Sequence, residues 1–419
     1  MLRRSAVRAL IGVGVAALTC ASLSAPAAAR PGRPAHPTWV TAWTASSTQS
    51  SVDAADCPAY TGLSDQTVRN VLTASTGGDL VRVRVTNVFG GTPLHVGHAS
   101  VAVRGADAGT VPGTMRRLTF RGQASVTVPA GGRVLSDPVA LGVPVLRQLA
   151  VSVYLPDPTG PVTQHPRGLR DSYLAAGDRS LDAATTGYDR AVDCSMFVDS
   201  VQVTPSRRVA GTVVTLGDSI TDGTASTRNT DSRWPDGLAR RLGALPGRTL
   251  SVANAGISGN EILADRIPVR YGPSALHRLD RDVFDVAGVR DVILLEGIND
   301  IGAASATADQ LIAGDRQLIA RAHARGLRVI GATLTPFGGS TAQYGGDYGT
   351  AFGEQQRQAL NQWIRTSGAF DGVVDFDRAT ADPADPTRLA PAYDSGDHLH
   401  PGDAGYRAMA DAVDLSLLR

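Results

Sequence analysis

The sequence predicts an α/β domain with about five parallel strands and helices on both faces, preceded by an all-β sandwich. Three observations carry this expectation. Over residues 38–205, apolar and polar residues alternate with a period of two between turns rich in Gly, Pro and Asp. From residue 209 onward, short apolar runs alternate with amphipathic stretches of helical length. Between the two, Pro205-Ser206-Arg207-Arg208 marks the change, so the 419-residue chain divides into a sandwich over 38–205 and an α/β domain over 209–419.

Ahead of both, Arg3, Arg4 and Arg8 precede an apolar run from Ala9 to Leu18 and small residues through Ala27-Ala28-Ala29. This is the layout of an export signal over residues 1–29, cleaved near Ala29, with the general and twin-arginine routes both open. The run is too short to anchor the chain, and no later segment approaches about 18 uninterrupted apolar residues, so no stable membrane insertion is expected. The expected location is extracellular. In that oxidising setting the simple reading of the two remaining cysteines is a Cys57–Cys194 disulfide, the alternative being two separately buried thiols. Lys+Arg (40) nearly equals Asp+Glu (39), which leaves no whole-protein field to gather nucleic acid. No nucleic-acid partner is expected, and the expected state is a monomer.

In the sandwich, Leu80, Val81, Val83 and Val85 interleave with Arg82 and Arg84 as half-buried strands do. Further strands are expected at 100–104, 124–128, 149–155 and 197–203. Trp39, Trp43, Tyr60, Tyr154 and Tyr173 are either core aromatics or sugar-stacking rings.

In the second half, the runs 212–216, 250–253, 292–295, 329–334 and 373–376 read as buried parallel strands. Thr307 and Gln310 form a capping box, Leu311, Ile312, Leu318, Ile319 and Ala322 mark one helical face, and Gly326 ends it. A last helix is expected from Pro401 to about residue 415. Right-handed crossovers then make a sheet whose ligands bind beyond the carboxyl ends of its strands.

The chemistry-bearing residues gather at those ends. Gly217-Asp218-Ser219-Ile220-Thr221-Asp222-Gly223 follows the first strand and places a hydroxyl where a helix begins, as a nucleophile or simply as a cap. Asn254-Ala255-Gly256-Ile257-Ser258-Gly259-Asn260 follows the second strand and Gly297-Ile298-Asn299-Asp300 the third. Attack on an ester creates an oxyanion, and one preorganised donor is worth about 3–4 kcal/mol of barrier. The N–H groups of Ser219 and Gly256 and the amide of Asn299 are candidate donors, with a tight turn and an Asx turn as the plainer roles of Gly256 and Asn299. A hydroxyl needs a base. His400 stands three residues after Asp397, a spacing that lets the carboxylate hold Nδ1–H while Nε2 faces the serine. His398 competes for that role. Asp394, Asp397, His398, His400 and Asp403 could also be read as a metal site, but no His-Glu-x-x-His or paired-cysteine pattern occurs, so neither metal nor cofactor is expected.

The four blocks, Gly-Asp-Ser-Ile-Thr first and Asp397-x-x-His400 last, resemble in order the motifs of the SGNH/GDSL hydrolases. The resemblance implies a flavodoxin-like SGNH domain and a serine esterase that forms an acyl-enzyme on Ser219. It implies proton transfer by His400, orientation by Asp397 (some members work as a dyad without it), and an oxyanion hole of Ser219, Gly256 and Asn299. The leading β region resembles the sandwich found in secreted bacterial members. The polar, Gly-rich segment 337–349 offers no long apolar lid helix, which favours small-molecule or carbohydrate esters, acetylated sugars included. An acyltransferase, a lipase, or a glycan-binding protein with an inactive fold are the alternatives.

Overall fold

The computed structural model describes residues 38–50, 57–58, 60–266 and 271–418, together with Met1. Apart from Met1, the segment read as an export signal lies outside the described residues. Residues 36–419 make one compact unit with two principal hydrophobic cores, one drawn from 40–209 and the other from 210–418.

Two antiparallel sheets enclose the first core. One orders Val40–Thr44, Val198–Pro205, Gly78–Thr86 and Val139–Val143, with Arg133–Leu135 also pairing Gly78–Thr86. The other orders Arg190–Val192, Ser172–Ala176, Gln66–Thr73, Gln148–Leu155, His98–Val103 and Arg116–Arg117. The two-residue alternation explains the first sheet: Val81, Val83 and Val85 are fully buried, while Arg82 and Arg84 turn outward to bond Gln202 and Asp199. Leu80 shares that outer face and is exposed.

Gln66–Thr73 shows no alternation, because loops cover its outer face as well. There the buried Arg69 guanidinium donates to Ser152 Oγ and to the carbonyls of Ala108 and Asp182, and lies over the Tyr188 ring at 4.0 Å. A disulfide joins Cys57 to Cys194 across 137 residues, a loop whose closure the chain-entropy account values at about 5 kcal/mol.

The second core surrounds five parallel strands: β1 (Val209–Gly217), β2 (Thr249–Gly256), β3 (Val289–Leu295), β4 (Arg328–Ala332) and β5 (Gly372–Val374). Their order is β2-β1-β3-β4-β5, the flavodoxin-like arrangement, with β1 at the point where the winding reverses. The helices are α1 (Ser219–Asp222), α2 (Trp234–Ala244), α3 (Ala275–Leu279), α4 (Ile298–Ala304), α5 (Ala308–Ala324), α6 (Thr341–Tyr344), α7 (Ala351–Thr366), α8 (Phe376–Thr380) and α9 (Asp403–Ala412). They pack in two groups, α2 and α8 against α9, and α3 and α7 against α5.

The Thr307–Gln310 capping box opens α5, and Gly326 follows its end at φ +68°. The last helix begins later than the sequence suggests. Pro401 forms a bridge with Asp394, and Gly402, not Pro401, precedes the first helical residue.

The sandwich and the parallel sheet are joined by main-chain and side-chain hydrogen bonds. Thr41 N–H donates to Ala287 O (3.0 Å) while Ala287 N–H donates to Thr41 Oγ1 (3.1 Å), and Ser75 Oγ donates to Val252 O (2.8 Å).

Candidate active site

β1 delivers Ser219 to the first position of α1. Asp218 caps that turn, its Oδ1 accepting Ile220 N–H at 2.9 Å, and Gly223 ends it in the left-handed region at φ +101°. Gly217 must lack a Cβ, which would run into the Thr221 side chain and Leu295 O. The turn is thus short and tightly packed, and Ser219 is only 6% exposed.

The loop before α9 meets it. Ser219 Oγ lies 2.7 Å from His400 Nε2, and His400 Nδ1 lies 2.7 Å from Asp397 Oδ2. Asp397 Oδ1 accepts the backbone N–H groups of Leu399 and His400 at 2.9 and 2.7 Å, which folds the three-residue spacing into a turn. A carboxylate beside Nδ1 keeps the proton there, so Nε2 is the acceptor facing the serine hydroxyl. Burial opposes ionisation of Asp397, but the His400 bond and charge and the two backbone donors outweigh it and hold the carboxyl well below the usual range.

His398 turns away, at φ +61°, and pairs through Nδ1 with Asp394 Oδ2 at 2.5 Å. Asp403 accepts Thr227 N–H. The five residues that could be read as one metal cluster are therefore divided among separate partners.

The three expected oxyanion donors differ from one another. No protein acceptor takes Ser219 N–H among the described residues. Asn299, at the start of α4 beyond β3, donates from Nδ2 to Asn260 O (2.9 Å) and accepts Tyr348 O–H at Oδ1 (2.6 Å), leaving its second Nδ2–H without a described protein partner. Gly256 departs from the expectation. Its N–H is taken up by Asn254 Oδ1 at 2.8 Å, and the place of its missing Cβ is filled by the Thr221 and Asp222 backbone. Gly256 therefore lets β2 and α1 pack closely, and its N–H is not free to receive an oxyanion. In the same block Gly259, at φ +79°, has an N–H with no protein acceptor among the described residues.

The profile of the GDSL-like Lipase/Acylhydrolase family matches residues 215–408. This stretch is similar to the GDSL-like hydrolase domain that the profile describes. No curated protein was found to match the chain. Solved structures similar to it include a GDSL-like lipase from Bacteroides thetaiotaomicron (19% identity, covering 49% of this chain and 87% of that one, TM-score 0.37). An aryl esterase from M. smegmatis is similar at 19% identity (48% and 96% covered, TM-score 0.40). A carbohydrate acetylesterase family member from Sinorhizobium meliloti is similar at 18% (50% and 99% covered, TM-score 0.40).

Beneath the GDSL-like site lies a residue that sequence reasoning missed. The fully buried Arg278 of α3 donates to Gly217 O at the end of β1 (3.0 Å), to Ala255 O near the end of β2 (2.6 Å) and to Asn260 Oδ1 (2.8 Å). Its Nη2 is 3.5 Å from Glu296 Oε2 at the end of β3. One guanidinium so ties together the ends of the three strands that carry the site. A lone Arg in an amphipathic stretch gives no sign of this, since burial of a charge is a tertiary property.

Around Arg278 the GDSL-like domain buries several carboxyl groups. Burial and the nearby Asp300 push Asp218 up, and burial with the Asp218 charge pushes Glu296 well up. Burial raises Asp300 to about 6 against the N–H donors of Ile262 and Leu263. Burial and the Asp300 charge raise Glu261 to about 7.

Proposed function

We propose that the protein is an exported serine esterase that hydrolyses carboxylic esters, small acyl esters and acetylated sugars above all, through an acyl-enzyme on Ser219. One observation carries the reading: a hydroxyl, an imidazole and a carboxylate stand in hydrogen-bonded sequence, each contact 2.7 Å, within the stretch similar to a GDSL-like hydrolase domain. In this reading Ser219 Oγ attacks the carbonyl carbon as its proton passes to His400 Nε2, and Asp397 stabilises the imidazolium that forms. The oxyanion is received by Ser219 N–H, the second Nδ2–H of Asn299 and, in place of Gly256, the N–H of Gly259. His400 then gives its proton to the departing alcohol, and the same base activates the water that releases the acid.

The preference for short acyl groups is supported by the segment beside the site. In 337–349 the only helix is the four-residue α6, which buries none of its residues, where an enzyme working at a lipid surface would need a broad apolar face. Export is supported by the signal-like pattern of residues 1–29 and by the disulfide.

The test is hydrolysis of p-nitrophenyl esters of increasing acyl length, together with acetylated xylan, by the wild type and Ser219→Ala. Rapid turnover of acetyl esters that vanishes in the variant is expected; equal rates in the two proteins would end the reading.

A further inference from the structure

The segment 337–349, between β4 and α7, sends one tyrosine to each half of the site. Tyr348, 5% exposed, donates its O–H to Asn299 Oδ1 at 2.6 Å. Tyr344 donates its O–H to Asp397 Oδ2 at 2.8 Å, the same oxygen that faces His400 Nδ1, and its ring meets the imidazole edge-on with centroids 5.9 Å apart. The two phenol rings lie 5.7 Å apart.

The segment is fastened so that both can reach. Asp347 N–H donates to Gly302 O (2.8 Å), and Ser305 Oγ donates to Asp347 Oδ2 (2.5 Å), which fixes it to α4 and its C-terminal cap. Gly302, one turn after Asn299, makes the close approach feasible, because a Cβ there would collide with the Tyr348 ring. Thr341 Oγ1 donates to Tyr348 O and closes the loop between the two tyrosines.

The consequence for Asn299 follows from donor and acceptor arithmetic. Asn260 O can only accept, so it must face Nδ2, and Oδ1 then faces the Tyr348 hydroxyl, which donates to it. A flipped amide would set Oδ1 against Asn260 O. With both contacts made, the amide has one orientation and one N–H left over.

We propose that Tyr348 and Tyr344 are positioning residues, Tyr348 holding the Asn299 amide with its spare N–H toward the oxyanion and Tyr344 holding the Asp397 carboxylate against His400. The proposal rests on the esterase reading. A donor that serves only the charge of the transition state changes kcat and leaves KM alone.

The experiment measures kcat and KM on p-nitrophenyl acetate for the wild type, Ser219→Ala, Tyr344→Phe, Tyr348→Phe, Asn299→Ala and Tyr348→Phe/Asn299→Ala, with a thermal melt of each. Tyr348→Phe is expected to lower kcat at least about tenfold with KM within about twofold, and to add no further loss once Asn299 is Ala. Tyr344→Phe is expected to lower kcat about threefold to tenfold at unchanged KM. If wild type and Ser219→Ala hydrolyse equally, the esterase reading falls and this inference with it. If the wild type is active through Ser219 and both Phe variants keep its kcat, or Tyr348→Phe costs as much with Asn299→Ala as without it, the positioning roles are overturned while the esterase reading stands.

Discussion

His165, carried by the β-sandwich, places Nε2 3.0 Å from Asp222 Oδ1, three residues beyond Ser219, and donates its Nδ1–H to Ser46 O at 2.8 Å. The other oxygen of Asp222 accepts Ser258 N–H and Oγ–H, so one carboxylate joins the sandwich, α1 and the loop after β2. Burial favours neutral imidazole, but the charge and bond of Asp222, with the Ser46 carbonyl, outweigh it and raise the His165 pKa. Burial likewise opposes the ionised Asp222, and His165 and Arg233 hold it low. The pair is thus a buried ion pair at the back of the turn that carries Ser219.

Replacing His165 with Leu should therefore strand a buried carboxylate. A loss of about 3–5 kcal/mol is expected by urea denaturation, because removing one partner of such a pair leaves the other charge uncompensated. The kcat for acetyl esters should fall as well, since Asp222 supports α1. An unchanged midpoint and kcat would show that the sandwich does not brace the site.

Ser219→Ala and His400→Ala should each lower kcat about ten-thousand-fold, and Asp397→Asn about a hundredfold to ten-thousand-fold, since the carboxylate orients the imidazole without exchanging the proton itself. His398→Ala should stay within about threefold, because its ring pairs with Asp394. Steady-state kinetics of the four variants on one ester decides the assignment, and full activity in His400→Ala would contradict it.

Arg278→Met removes the guanidinium that bonds Gly217 O, Ala255 O and Asn260 Oδ1 beside Glu296. At least about 3 kcal/mol of stability should be lost, as expected when several buried acceptors lose a shared charged donor. Urea unfolding is the measurement.

Stability should fall as pH rises from about 5 to about 8. Asp218 and Glu296 are pushed upward, Asp300 to about 6 and Glu261 to about 7, so the folded chain binds protons that the unfolded chain has released, and that advantage disappears as these groups ionise. The raised His165 has the same sign, because its contribution is lost as pH climbs through its folded value. The depressed Asp397 and Asp222 act oppositely, losing their contribution only as pH drops through their low folded values. Thermal midpoints at pH 5, 6, 7 and 8 should decline, and Asp218→Asn with Glu296→Gln should flatten the slope.

Much of the fold is legible in the sequence because its signals are local. The alternation around Val81, Val83 and Val85, the capping box at Thr307 and Gln310, and the apolar runs of the parallel strands each depend on neighbours a few residues away. A strand end followed by Gly-Asp-Ser, or Asp397 three residues before His400, likewise announces chemistry from adjacent residues alone. Gln66–Thr73 escaped because both of its faces are covered, which erases the period of two.

What only the tertiary structure decided is the partner of each polar group. Whether the N–H of Gly256 is free depends on where the Asn254 side chain turns, and the orientation of the Asn299 amide depends on a tyrosine 49 residues away. Arg278 reaches Gly217 O across 61 residues and His165 reaches Asp222 across 57. Periodicity records which face of an element is apolar. A buried hydrogen bond depends on two directions in space meeting within about 3 Å, and only the packed chain sets that.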